Sequence, residues 1–586
     1  MLKSISLVIL SFSLLATAHA VANPLALFVE QCLLYQPDLT ALDSDNTLTA
    51  NQKATEFELQ TLALNNINDR VQYYRPFATD TLSKQGLLWC QLHLADELYE
   101  LLNAKSTKQL IDSLQTTPYQ PLAEQLIHLQ QSQWELTAKS KLHSAQAAVT
   151  QALAERQLTM QFNDELCKIT APSGSKTQQE QPNIDIRIAK YLLVQPNEEC
   201  RKQAWFAYQT RAKSKIQSAI SFIHELNQQQ AQAQGYQNAA QLMLAPYDLS
   251  PAMLNMFLDT QTKQLTVAPW NMAQALSHTQ KASAIKPISA HDYLLVLLSK
   301  LTEFGIIAQS IPPDRLEHHP PAQAGQTQVQ IIRIMHQQRV LGEIYTYPQT
   351  QQPLPFKVNG QLIKQTVIGH QFGQYALSFP DQLTTQSQQL QLINELSHAI
   401  VSLAQSGQFY LLNRKTQNLQ RHAVASLWLS HFLSQSEPFA PMSEREQLTQ
   451  AYQTQMNVFR SKASLMFYQY SASLTHEDWL KADKDLSAAF EQSFGRPWPH
   501  ATDAIYSYQA IANKGISLYL PLWHQAIAQL IMTQAPVAYS AQDIFDLLIV
   551  NESQLSFNNQ LEQLIGPPID PYSLIRRFNH AETPQE

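Results

Sequence analysis

Glycine is scarce in this chain, with 13 residues among 586. Sheet-rich folds place many glycines in tight turns, so this scarcity, set against plentiful Leu, Ala and Gln, favours helices. No run of Lys or Arg occurs and the formal net charge is −7, so nothing points to nucleic acid. Beyond the N-terminus no stretch is apolar for the ~20 residues that a membrane helix needs, and no span is expected. No G-x-S-x-G elbow offers a serine nucleophile. Cysteine is nearly absent too: Cys32, Cys90, Cys167 and Cys200 are the only four, all in the first 200 residues.

Several features stand against these absences. Lys3, the mostly apolar run Ile5 to Leu15 and the small-residue pattern Ala18-His19-Ala20 read as a secretory signal peptide over residues 1–20, cleaved after Ala20. A periplasmic or otherwise secreted protein is expected. No Cys follows the cleavage point, which argues against a lipoprotein. In an oxidising compartment the four cysteines allow three pairings, and nearness favours Cys32–Cys90 with Cys167–Cys200. Four buried thiols are the other reading, and the spacings match no zinc motif.

Residues 21–170 read as successive amphipathic helices, clearest over Gly86–Leu102, with another long helix over Gln133–Leu158. Thr170–Pro182 is polar with breakers near both ends, an exposed loop before the remainder, 171–586. Asn197 caps a helix that starts with Glu198 and Glu199 and runs to Ala212. A second helix carries Ile220, Ile223, Leu226 and Ala231 and stops at Gly235. Gln328–Met335 and Val340–Pro348 form a hairpin around Gln337–Arg339. A polar loop follows, then the extended segment Tyr375–Pro380.

The helix after it carries Asn394-Glu395-Leu396-Ser397-His398. An H-E-x-x-H helix presents two imidazoles four residues apart, with a carboxylate beside them to activate metal-bound water. Here Asn394 takes the first His position. Asn is a weak neutral donor, whereas zinc sites use His, Cys, Asp and Glu.

Taken in order, these segments resemble the thimet-oligopeptidase (M3) family of zinc metallopeptidases, from about residue 185 to 570. The resemblance rests on the helix Arg201–Arg211, on Gly235-Tyr236-Gln237-Asn238, and on the strand with Gly342, Ile344 and Tyr345. It implies a mainly α, large helical zincin fold with a small β-sheet next to the motif helix and a central channel for short peptides. In that family the third zinc ligand is a Glu 25 residues past the second His; counted from His398, this is Ala423, in the run Ala423-Val424-Ala425-Ser426. The acidic residue of the family's second strand is also missing, since Thr346-Tyr347 stands there. His398 is thus the only retained ligand position, and Glu395 holds the general-base position. The family's C-terminal H-x-x-x-G-Y-x-A-G-Y-Y-x-Y aligns to Ser507–Tyr519. Gly515 and Tyr519 match, with Tyr519 at the oxyanion or substrate position. Ser507 replaces a His, and Ala512 and Ile516 replace Tyr, unless a short gap brings His500 or Tyr506 into play.

Loss of two ligands should cost far more than the ~10–100-fold seen for outer-shell changes. The expectation is an exported, catalytically impaired or inactive relative that binds short peptides or a partner protein and needs no cofactor. Its alternative is a divergent zinc-dependent oligopeptidase. A third reading is a purely structural partner. A site rebuilt from His398, His422 and Glu395 would need His422 to turn inward, although helix neighbours point ~100° apart. The plain readings are a helix carboxylate for Glu395 and a satisfied buried imidazole for His398.

Overall fold

The computed structural model describes residues 24–38, 48–161, 164–168, 183–280, 285–311, 329–349, 357–405, 407–435, 437, 439, 441–470 and 476–581. The expected signal peptide and the loop Thr170–Pro182 lie outside them.

Five helices, Pro24–Leu33, Ala50–Tyr74, Thr81–Asn103, Lys105–Leu114 and Gln120–Gln131, build an N-terminal layer with two small cores. One core gathers Phe28, Leu64, Val71, Leu87 and Leu94 around the Cys32–Cys90 disulfide, with Cα atoms 5.6 Å apart. The other holds Phe57, Leu101, Leu114 and Leu122 together with Val367 and Phe409–Leu411, so the layer is docked on the body through that core. Cys167 and Cys200 form the second disulfide, and both pairings are the ones nearness favours.

Two helix expectations need shortening. The run Gln133–Leu158 is not one helix. The chain breaks at 132–135, where the Glu135 carboxylate accepts the Thr137 and Ala138 amides and starts a new helix, Leu136–Leu153. Leu158 lies in β1 (Gln157–Gln161), which pairs antiparallel with β2 (Asn183–Arg187). That pairing joins segments too far apart for periodicity to reveal. The helix opened by Asn197, whose side chain accepts from Glu199 and Cys200, ends at Gln209 rather than Ala212. Lys213–Ala233 follows and stops before Gly235, at φ +82°.

A short ladder pairs β3 (Ile288–Ser289) with a strand at Gln382–Leu383. The main sheet has five strands: β4 (Ile306–Ile311), β5 (Gln330–His336), β6 (Arg339–Gln349), β7 (Asn359–Lys364) and β8 (Gly373–Pro380). Their order is β4-β5-β6-β8-β7, with β6 and β8 parallel and the other pairs antiparallel. The expected hairpin is β5–β6. The stretch read as a polar loop after it contains β7, which has half-buried mixed residues and no clean alternation.

The motif helix, Gln386–Ala404, begins with a capping box between Thr385 and Gln388. It buries Leu392, Ile393, Leu396, Ile400 and Leu403 between the sheet and the helix Thr416–Gln435. Each such side chain stabilises by about 1.5–3 kcal/mol. Close approach needs glycine in the sheet. A Cβ on Gly342 would stand 2.5 Å from both the Gly373 carbonyl and Leu403 Cδ2, so Gly342 and Gly373, paired in register, let Leu403 settle on the strands. The architecture is therefore mainly helical, with one small sheet beside the motif helix.

Candidate functional site

Asn394, His398 and Ser402 stand four apart on the motif helix and share a face. His422, Ser426 and Ser430 do the same on the helix Thr416–Gln435. The two helices run antiparallel, and the two polar stripes meet. The Ser430 hydroxyl donates to Asn394 Oδ1, and Ser402 Oγ shares a 2.8 Å hydrogen bond with His422 Nε2. Between these pairs the rings of His398 and His422 stack, with centroids 5.8 Å apart and planes at 20°. Ser426 is buried, with no partner for its hydroxyl among the described residues.

His422, not Ala423, is thus the residue that meets His398. The 25-residue spacing that the resemblance implies points to Ala423 as the facing position. The facing stripe actually runs through 422, 426 and 430, leaving Ala423, half-buried, one step off it.

Glu395 turns toward the sheet. Its Oε2 accepts the Tyr375 hydroxyl at 3.4 Å, and the Gly360 amide of β7 also reaches it. A Cβ on Gly360 would lie in the space held by Glu395 Oε2 and 2.6 Å from Tyr375 Oη, so β7 needs glycine there. Burial raises the Glu395 carboxyl above its ordinary range, while Tyr375 and the Gly360 amide pull it part of the way back. Burial lowers His398. His422 is pushed down to about 4 by burial, then by His398 and Arg421. Both imidazoles are therefore neutral at pH 7.

A pocket of about 410 Å³ opens along these groups, lined among others by Gly360, Tyr375, His398, Ser402, Arg421 and His422. Its size falls within the ~300–1,000 Å³ of small-ligand sites.

Zinc requires about four donors ~2.0–2.3 Å from one point, at least three of them from the protein. Among the described residues no three His, Cys, Asp or Glu side chains are placed to hold a metal ion. The polar groups at the motif positions are turned to one another: Asn394 to Ser430, His422 to Ser402, Glu395 to Tyr375. Ala423 supplies no donor. The side chains present do not fit a resident zinc.

The C-terminal positions make contacts of their own. Among the described residues, no hydrogen bond or ring contact joins Ser507, Ala512, Ile516 or Tyr519 to Glu395 or His398. Ser507 Oγ donates to the Ala504 carbonyl at 2.7 Å. Ala512 and Ile516 are core residues. Tyr519 is buried edge-on to Tyr247, with ring centroids 6.1 Å apart, and its hydroxyl has no partner among the described residues. Among the described residues neither gap candidate has a hydrogen bond or ring contact with Glu395 or His398: His500 is exposed, and Tyr506 packs near His224. Sequence reasoning missed Ser402, Ser430, Tyr375, Gly360 and Arg421. The two four-residue polar spacings were the available signal for the serines.

No family model matches the chain, and no curated sequence does. Solved structures do. The crystal structure of a candidate peptidase from Chlamydophila abortus superposes with a TM-score of 0.54, covering 95% of this chain and 94% of the other at 12% identity. PZ peptidase A with an inhibitor gives 0.52, covering 95% and 96%, again at 12% identity. The chain has a peptidase-like fold. At such identity the likeness extends to the fold alone.

Proposed function

We propose that this chain is an exported, non-catalytic relative of the M3 metallopeptidases that binds short peptides in the pocket beside the motif helix. The observation that carries the reading is the closure of the two polar stripes on each other. Where a zinc peptidase needs free donors aimed at one point, this chain has side chains hydrogen-bonded in pairs. The M3 relation is supported by the match in segment order together with the peptidase-like fold. Export is supported by the N-terminal pattern and by two disulfides, which persist in oxidising compartments.

One observation favours a second reading, a divergent metallo-oligopeptidase. His398 and His422 are stacked neighbours, with Glu395 on the same helix, so a rearrangement freeing His422 from Ser402 would bring two ligands together. Metal analysis of protein purified without chelators, run beside a quenched-fluorescence peptide assay, separates the two. The expected result is substoichiometric zinc and no turnover, with peptides retained intact. Stoichiometric zinc and cleavage abolished by Glu395→Ala would overturn the proposal.

A further inference from the structure

Arg421 lines the pocket, is 7% exposed, and makes no hydrogen bond or ion pair among the described residues. Its Nε is buried and unsatisfied. Among the described residues no carboxylate stands beside it: burial alone lowers its pKa, to about 10, and no acid there offsets that. A buried guanidinium without a partner is costly, because its lost hydration is not replaced. Five N–H donors in a planar fork match a carboxylate or similar oxyanion better than any other ligand class.

Resting on the peptide-binding reading, we infer that Arg421 captures the C-terminal carboxylate of a bound peptide. The surroundings suit a monoanion. His398 and His422 are neutral, so one cation faces the ligand, and one negative charge balances it. Among the described residues His398 makes no hydrogen bond, and it can serve the second carboxylate oxygen. Leu362 and Leu419 add an apolar wall for the last side chain. The Asn413 and Asn418 amides are already engaged, with Thr366 and Gly407 and with Leu412, so Arg421 is the charged donor left for a ligand in this lining. The chain would then recognise free peptide ends rather than internal segments.

The test is a native mass-spectrometry titration of the full chain with a mixed-sequence hexapeptide pool, once as free acids and once as C-terminal amides. Free acids should bind at least about tenfold more tightly, and Arg421→Gln should erase the difference. Arg421→Lys should retain part of it. Without ligand, Arg421→Gln should melt at the same or a higher temperature than the parent, since it removes an unpaired buried charge. A clear fall in melting temperature would instead give Arg421 a structural role and overturn the inference. Equal binding of acids and amides overturns it while leaving peptide binding intact. Should neither pool bind, succinate and inorganic phosphate decide. Stabilisation of the parent but not of Arg421→Gln by succinate keeps the carboxylate site and rejects the peptide reading. A stronger response to phosphate rejects the carboxylate assignment, and no response to either rejects both.

Discussion

Arg414 and Arg421 lie seven residues apart, on opposite sides of a helix start, and have opposite surroundings. Arg414 Nη2 donates to Asp69 Oδ1 at 3.2 Å and to the Tyr410 hydroxyl at 2.7 Å, and Tyr410 in turn donates to Asp69 at 2.6 Å. Glu58, on the same N-terminal helix as Asp69, accepts the Tyr410 amide at 2.9 Å. Every member of that cluster bonds to another, and together they seat the N-terminal layer on the body. Arg421 has no such partner and opens into a pocket. A cation paired with a buried counter-charge fixes one arrangement of the chain, whereas a buried cation without one is held for something absent from the chain. The two arginines thus distinguish a docking face from a binding face.

The largest way to break that contrast is at the docking face. Asp69→Ala strips Tyr410 and Arg414 of their shared acceptor and should lower unfolding stability by about 3 kcal/mol, read by urea denaturation. Loss of the N-terminal layer's contact should show as a separate early transition. A loss under ~0.5 kcal/mol would mean that the cluster does no docking.

The next effect depends on pH. Burial raises the Glu58 carboxyl to about 7, only partly offset by the Tyr410 amide, and its second oxygen has no partner. A proton on that carboxyl suits the folded state. Between about pH 4.5 and 7 the unfolded chain has released the proton while the folded chain keeps it, so stability falls as pH rises through this window. The full effect is about 3 kcal/mol. Glu58→Gln, which is neutral at every pH, should flatten this slope in thermal melts at pH 4.5 and 7.5. An unchanged slope would assign it to other groups. The binding face has the opposite sign. His398 and His422 have lowered folded-state pKa values, so protonating them in acid, below about pH 6.5, favours the unfolded chain.

The smallest effect sharpens the binding face itself. Gly360→Ala puts a methyl into the space of Glu395 Oε2 and the Tyr375 hydroxyl, so that pair must part. The expected loss is about 1–2 kcal/mol in stability, with tyrosine near-ultraviolet circular dichroism altered. An unaltered spectrum and stability would show that β7 and the motif helix do not pack as described.

Much of this organisation was open to sequence reading because it is local. Glycine scarcity and apolar periodicity pointed to helices; Asn197 and Gly235 act at helix ends as their chemistry dictates. β5 and β6 declared themselves through β-branched residues around a short turn. The strand β7 did not, since its register comes from β8, and its residues alternate too weakly to betray a buried face. For the site, Asn394, Glu395 and His398 could be placed on one helix from spacing alone. What each faces could not: Ala423 was chosen by counting along the chain, while the helix crossing brings His422 to His398.

By itself, then, the sequence determined the helices, their caps, the hairpin and the identity of the donors at the motif positions, because these depend on neighbours within a few residues. Only the tertiary structure decided that the stripes Asn394–His398–Ser402 and His422–Ser426–Ser430 close on each other, that Glu395 turns to Tyr375 and Gly360, and that Arg421 has no counter-charge. Pairing and its lack are properties of the space between elements. Residues remote in sequence settle them, through burial and helix crossing that no local window contains.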